Sequence, residues 1–309
     1  WFLFGYSLAF AESNNPIIGN FDHAFLINIV DQPSIANPKI PAILFYLFQS
    51  KFAAITPALA IGAAAERGRF LPTIIFMLLW TTFVYDFLAF WTWNPSGWVF
   101  KLGALDFAGG TPIHIASGAA ALAYAVVLGP REDKEESKPH NMSNVILGTA
   151  LIWFGWFGFN GGSALAANSR AIMACVVTNL AACVGGVTWV LMDYRHERKY
   201  SPMGFCAGAI AGLVSITPGS GFVSPASSLA FGFIGAICCN LAMSLKHIMK
   251  YDDALDVFAV HGVGGIVGNL LTGIFAQKWV AALDGTEIEG GWLDGNWAQV
   301  GYQAVDTVA

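Results

Sequence analysis

Residues 106–118 read DFAGGTPIHIASG and residues 253–265 read DALDVFAVHGVGG. In each stretch a histidine follows an aspartate by eight residues and precedes a glycine by four: Asp106, His114, Gly118 and Asp253, His261, Gly265. Both histidines lie in otherwise apolar runs. A titratable side chain at membrane depth is costly, so it normally faces a polar path through the protein. The same device in matched halves of one chain points to a duplicated unit with its function at the join.

The composition agrees with a membrane setting. The chain has 309 residues, of which 56% are hydrophobic and only 11% charged, where soluble domains carry about a quarter charged residues. Its apolar runs reach the roughly 20 residues that a helix needs to cross a bilayer. The net charge of −5 is neutralised locally within loops and points to no nucleic-acid partner. Cys175, Cys183, Cys206, Cys238 and Cys239 all fall in apolar segments. Their spacing fits neither a disulfide framework nor a zinc site, so they read as small buried hydrophobes and no metal or cofactor is expected. The chain opens inside one apolar run, WFLFGYSLAF, and stops inside another. It reads as the interior of a longer protein.

Working outward, eight complete spans are predicted at 41–65, 70–93, 106–128, 144–166, 171–192, 202–216, 226–248 and 254–276. Partial spans lie before Ala11 and after Trp297. Arg67 and Arg69, then Arg131, Lys134 and Lys138, then Arg195, Arg198 and Lys199, then Lys246 and Lys250 occupy alternate loops. The intervening loops hold only Lys39, Lys101, Arg170 and Lys278. The positive-inside rule places the first set in the cytoplasm, with the acidic, Gly-rich loop from Asp284 to Asp294 on the outside. The first histidine span then runs inward and the second outward, so the two units are inverted relative to each other. Eight residues correspond to about 12 Å of helix. From opposite faces of a core about 30 Å thick, that spacing brings His114 and His261 close enough to touch. Gly204, Gly208 and Gly212, Gly158 with Gly162, and Gly264 with Gly268 recur at the interval that lets helix backbones approach.

Four strings now identify a family. DFAGGTPIH, GWFGFNGGSALAAN from Gly155 to Asn168, AIGAAAERGRF from Ala60 to Phe70, and DDALDVFAVHGVGGIVG from Asp252 to Gly268 together resemble the ammonium transporter family (Amt/Mep/Rh). ANSRA and the acidic loop look most like a fungal ammonium permease. The resemblance implies an all-α polytopic membrane protein of eleven helices with a five-plus-five inverted repeat. This chain would lack the first helix and the C-terminal end. It would form one transmembrane transporter domain over 1–309, with 1–129 the remainder of the first repeat, 142–276 the second, and 277–309 the external loop and the start of the last helix. The resemblance further implies a plasma-membrane homotrimer embedded in the lipid bilayer. Its substrates would be ammonium and methylammonium, and cytoplasmic regulators would act through a tail that this chain lacks.

Ammonium and potassium have nearly the same radius, so a selective pore must use hydrogen bonding and a removable proton. Aromatic rings replace water around a cation at about 0.5–2 kcal/mol each, a hydroxyl accepts an N–H, and histidines bond the amine or carry its proton. By the resemblance, Trp93, Phe52 and Ser163 match the external recruitment site. Phe52 and Phe159 match a stacked phenyl pair closing the pore, and Trp156 lines its mouth. His114 and His261 match the twin-histidine relay in the lumen. Trp93 aligns only with one extra residue before Asp106, which leaves Trp91 as an alternative wall. Without the family, Phe52 and Phe159 would be core residues, and Ser163 would bond a carbonyl of its own helix.

Asp106 and Asp253 read as helix caps that accept backbone N–H groups. His23, His140, His196 and His247 lie in or beside loops and receive no transport role. The sequon Asn141-Met142-Ser143 falls on the cytoplasmic side, where it would not be glycosylated. The leading function is electrogenic uptake, in which ammonium is deprotonated and its proton relayed. The alternatives are a passive ammonia channel and an ammonium sensor coupled to transport. An intramembrane metalloenzyme is excluded, since each aspartate stands two helical turns from its histidine and the two lie at opposite faces.

Overall fold

The computed structural model describes residues 1–131 and 139–309. Lys134 and Lys138 of the basic set therefore lie outside the described residues. Among those residues all regular secondary structure is helical, apart from one isolated bridge between Pro33 and Pro41. Eight helices among the described residues are long and apolar enough to cross a bilayer: Ala42–Ala64, Phe70–Leu102, Gly110–Leu128, Met142–Gly161, Ser169–His196, Pro202–Gly219, Pro225–Met249 and Phe258–Phe275. The second of these is interrupted, because Asn94 turns to extended backbone after Trp93 and Trp98–Leu102 forms a separate short helix. Short helical pieces at Gly5–Phe10 and Ala298–Val308 stand where the partial spans were expected.

Local chemistry sets most of the boundaries. Asn141, Asn168, Ser201 and Ser224 each sit in extended backbone and accept the N–H three residues on, and Pro202 and Pro225 open their helices. These are N-cap residues satisfying donors that a helix start leaves orphaned.

The two histidine helices begin later than the sequence suggests. Gly110–Leu128 starts four residues after Asp106, and Phe258–Phe275 starts five residues after Asp253. The delay has one cause at both places, because the aspartate reaches forward into the helix instead of joining it. The Asp106 carboxylate accepts the N–H groups of Gly109, Gly110 and Thr111 at 2.7, 2.7 and 2.9 Å. Asp253 Oδ2 accepts from Phe258 at 2.8 Å. Each helix also opens with a π-wound turn, at Gly110–Ile115 and Phe258–Val263, and each turn contains the histidine.

These helices cross antiparallel at the centre of the molecule. Gly118 meets the backbone of Gly262, Gly265 meets the Gly110 carbonyl and His114, and Gly110 meets Asn269. Residue numbers rise on one helix as they fall on the other. A Cβ at Gly118 would collide with backbone, not with a side chain able to move. Farther out, Gly208 and Gly212 let Pro202–Gly219 press against Gly185 and Ala181 of the neighbouring long helix.

The charged loops sort to two ends. At the basic end, Arg131 pairs with Asp252 at 2.9 Å and with Glu66 at 3.0 Å, while Arg67 donates to the carbonyls of Gly129 and Asp252. At the acidic end, Arg170 pairs with Asp284 at 3.3 Å and Lys278 with Glu289 at 3.7 Å.

Candidate functional site

A cavity of about 820 Å³ opens at the acidic end, with Phe52, Trp93, Ser163, Asp106 and Arg170 among its lining. Each arrives on a different support. Phe52 projects from the middle of Ala42–Ala64, and Trp93 ends its own span with Nε1 donating to the Asp106 carbonyl at 3.0 Å. That bond ties the indole to the segment that opens the His114 helix. Trp91 lies elsewhere, donating to the Ile17 carbonyl at 2.7 Å and packing on Trp98. Ser163 donates to the Phe159 carbonyl at 2.8 Å. Its hydroxyl hydrogen is thereby used, and its lone pairs are left toward the cavity as acceptors.

Phe52 forms the cavity floor. Its ring meets Phe159 at 4.7 Å and 78°, and Trp93 at 6.1 Å and 63°. The phenyl pair is therefore edge-to-face, not stacked, which directs the positive ring edge of one at the negative face of the other.

Beneath Phe159 lies a group of nearly parallel rings, with His114 5.8 Å from Phe159 itself as well as beside Trp156. Phe159 and Trp156 are 5.1 Å apart, Trp156 and His114 5.4 Å, and His114 and His261 5.2 Å. Trp156 is thus not at the mouth. It precedes Phe159 by almost one turn on a helix rising toward the cavity, so it lies a turn deeper, 6% exposed, with Nε1 donating to Thr217 at 2.9 Å. Thr217 passes its own hydrogen to the Leu213 carbonyl.

The two imidazoles meet Nδ1 to Nδ1 at 3.1 Å. A nitrogen-to-nitrogen contact of that length needs one hydrogen between the rings, so one ring donates and the other accepts. In a neutral pair the accepting ring carries its hydrogen on Nε2 and the donating ring leaves Nε2 bare. The pair then offers one N–H and one lone pair. His114 is fully buried with Nε2 unpartnered, and His261 is 8% exposed. Asp106 and Asp253 stand at opposite ends of this arrangement and touch neither ring. No group of three or more His, Cys, Asp or Glu able to hold a metal occurs among the described residues.

Sequence reading passed over two buried ionisable residues. Arg170, counted as a loop cation, is 5% exposed and sandwiched between Phe107 and Phe222 at 4.8 Å from each ring centre. It clasps Asp284 and Thr286 of the acidic loop and the Gly221 carbonyl. Burial alone would push the Asp284 carboxyl up, but bonds from Thr286 and the charge of Arg170 hold it below the usual carboxylate range. A lone arginine two residues past an Asn cap, inside an apolar run, was the available signal. The second is Asp306, buried outside the cavity lining, which no local pattern marks.

A polytopic membrane protein with an aromatic-floored cavity above paired intramembrane histidines fits a transport family, not an enzyme family. The chain belongs to the Ammonium Transporter Family, whose model matches residues 1–309. It is 56% identical over 313 residues to Ammonium transporter 1 of Schizosaccharomyces pombe, covering 100% of this chain and 63% of that protein. The chain therefore spans under two thirds of that relative's length. The crystal structure of Candida albicans Mep2 superposes with a TM-score of 0.96 at 48% identity, over 100% of this chain and 69% of that one. Saccharomyces cerevisiae Mep2 gives 0.95 at 45% identity, over 100% and 70%.

Proposed function

We propose that this chain forms the pore of an ammonium transporter. The observation that carries the reading is the His114–His261 contact at 3.1 Å, buried directly beneath the Phe52–Phe159 pair. Ammonium enters the acidic-end cavity, where Trp93 and Phe52 offer π faces and the Ser163 oxygen accepts an N–H. Passing the phenyl pair strips the last water, and a bare ion in such an apolar constriction is costly. Transfer of its proton to the bare Nε2 of the histidine pair directly beneath removes that cost. Potassium has no proton to release and is left outside.

The imidazole pair then receives the amine. Its bare Nε2 accepts an N–H, its Nε2–H donates to the amine lone pair, and the shared Nδ1 hydrogen lets the two rings exchange roles. A proton taken at one ring can leave from the other, which makes the transport electrogenic. Methylammonium shares this chemistry and is the analogue substrate. The basic loops face the cytoplasm of a plasma-membrane protein, and the family resemblance supports a homotrimer whose regulators act through a tail outside this chain.

Current recordings on a supported membrane test the mechanism, using proteoliposomes of the full-length protein. Pulses of ammonium should give inward current where equal pulses of potassium give none. Methylammonium uptake without current would replace the relay by passage of the neutral amine. Absence of both would remove the transport reading.

A further inference from the structure

Asp306 is completely buried on the last helix, Ala298–Val308, and belongs to no part of the path described above. Its Oδ2 accepts from Thr111 Oγ1 and from Asn269 Nδ2, each at 2.8 Å. Asn269 Nδ2 also reaches Thr111 Oγ1 at 2.7 Å. Three side chains from three separate elements therefore close on one point. Thr111 is in the first turn of the His114 helix, and Asn269 is eight residues beyond His261. The other oxygens of this cluster, Asp306 Oδ1 and Asn269 Oδ1, are both buried and both without a donor.

Two orphaned acceptors on side chains already bonded to each other share one simple remedy. An ionised carboxylate with one oxygen unsatisfied in a dry site is expensive. The charged group facing it is Asp106, whose carboxylate is already saturated by three backbone N–H groups on the adjoining segment. That neighbour makes a second negative charge costlier still. A single hydrogen supplies the missing donor and removes the charge together.

We propose that Asp306 is a protonated carboxyl whose hydrogen, on Oδ1, is accepted by the Asn269 carboxamide oxygen. Acid and amide then form a two-bond ring: Asn269 N–H to Asp306 Oδ2, and Asp306 O–H to Asn269 Oδ1. Asp306 acts as a positioning residue. Through Thr111 it fixes the turn that carries His114, and through Asn269 it fixes the His261 helix. The last helix extends the same grip with Gln299 donating to the Gly103 carbonyl and Gln303 bonding both the N–H and the carbonyl of Leu105.

A protonated acid and an amide present the same pair of groups, so Asp306→Asn keeps both ring bonds while Asp306→Leu loses them. Infrared spectra of the full-length protein in lipid nanodiscs at neutral pH should show a carboxylic-acid C=O band that Asp306→Asn removes. Asp306→Asn should melt with the wild type, and Asp306→Leu several degrees lower. A spectrum unchanged by Asp306→Asn means that Asp306 is ionised, with water or a cation supplying the donor, and overturns the proposal. So does an Asp306→Asn protein that melts as low as Asp306→Leu. If Asp306→Leu does not fold, the infrared comparison decides alone. None of these readouts involves transport, so they stand whatever the fate of the pore mechanism.

Discussion

Asp106 and Asp253 open the two histidine helices by the same forward reach, yet their surroundings differ. The Asp106 carboxylate holds three N–H groups, and the last helix buttresses the turn it caps. Asp253 holds one N–H and leaves Oδ1 buried without a partner. Its neighbours are charged cross-ties instead, Arg131 with Asp252 and Lys246 with Asp256, each at 2.9 Å. One end of the repeat is fixed by short hydrogen bonds around a backbone turn. The other is fixed by ion pairs that bind three loops together. A duplicated scaffold has kept its crossing and changed its fastenings.

The comparison assumes a common crossing, and Gly118→Leu attacks it most directly. The added side chain meets Gly262 backbone, so the expected cost is about 3 kcal/mol or more, read as loss of folded protein by size-exclusion and thermal melting. Wild-type melting would remove the crossing from the account.

The next effect belongs to the histidines. His114→Ala and His261→Ala each delete the 3.1 Å contact and with it a group that takes and passes the proton, so ammonium-over-potassium selectivity should fall by about 10²-fold. Currents carried by the two ions on one membrane check it. Selectivity preserved in both variants would break the proposed relay.

Sharpening the two ends requires paired variants. Asp106→Ala strands three donors and Asp253→Ala only one. The first should therefore destabilise more, by about 1–2 kcal/mol beyond an ordinary cap loss. Equal losses in denaturant or thermal melts would mean that the ends are fastened alike.

The smallest effect is acid sensitivity at the basic end. Burial pushes Asp252 up, but hydrogen bonds and charge from Arg131 outweigh it and hold the carboxyl below its ordinary range. A depressed carboxylate gives stability that is complete above its unfolded value, about 3.9, and is lost as pH falls through the lower folded value. Arg131→Gln should remove that contribution, at most about 1 kcal/mol for a partly exposed pair. Melting curves of the variant and wild type should then converge in acid and separate at neutral pH.

Much of this was legible in the chain. Ionisable residues inside apolar runs, basic residues in alternate loops and a repeated Asp–His–Gly spacing are local signals, and they yield the eight spans and the meeting of His114 with His261. Helix starts were misplaced because Asp106 and Asp253 cap from four and five residues before their helices begin. The depth of Trp156 was misread because its place follows from the rise of its helix relative to Phe159. Asp306 was invisible because its partner Thr111 lies 195 residues away in the chain, and no periodicity links them. Arg170 was counted only as a loop cation because the two phenylalanines that sandwich it come from other segments.

The π turns at Gly110–Ile115 and Phe258–Val263 carry a consequence for chain length. Such a turn is an α-helical turn holding one residue too many. Removing that residue would close the turn into a regular helix whose flanks stay in register, while the residues inside the turn shift round the axis. His114 and His261 would keep their identity and neighbours in sequence and lose their aim at each other. The direction of each imidazole is thus specified by a count of residues, so a single-codon deletion beside either histidine should do what no conservative replacement there can.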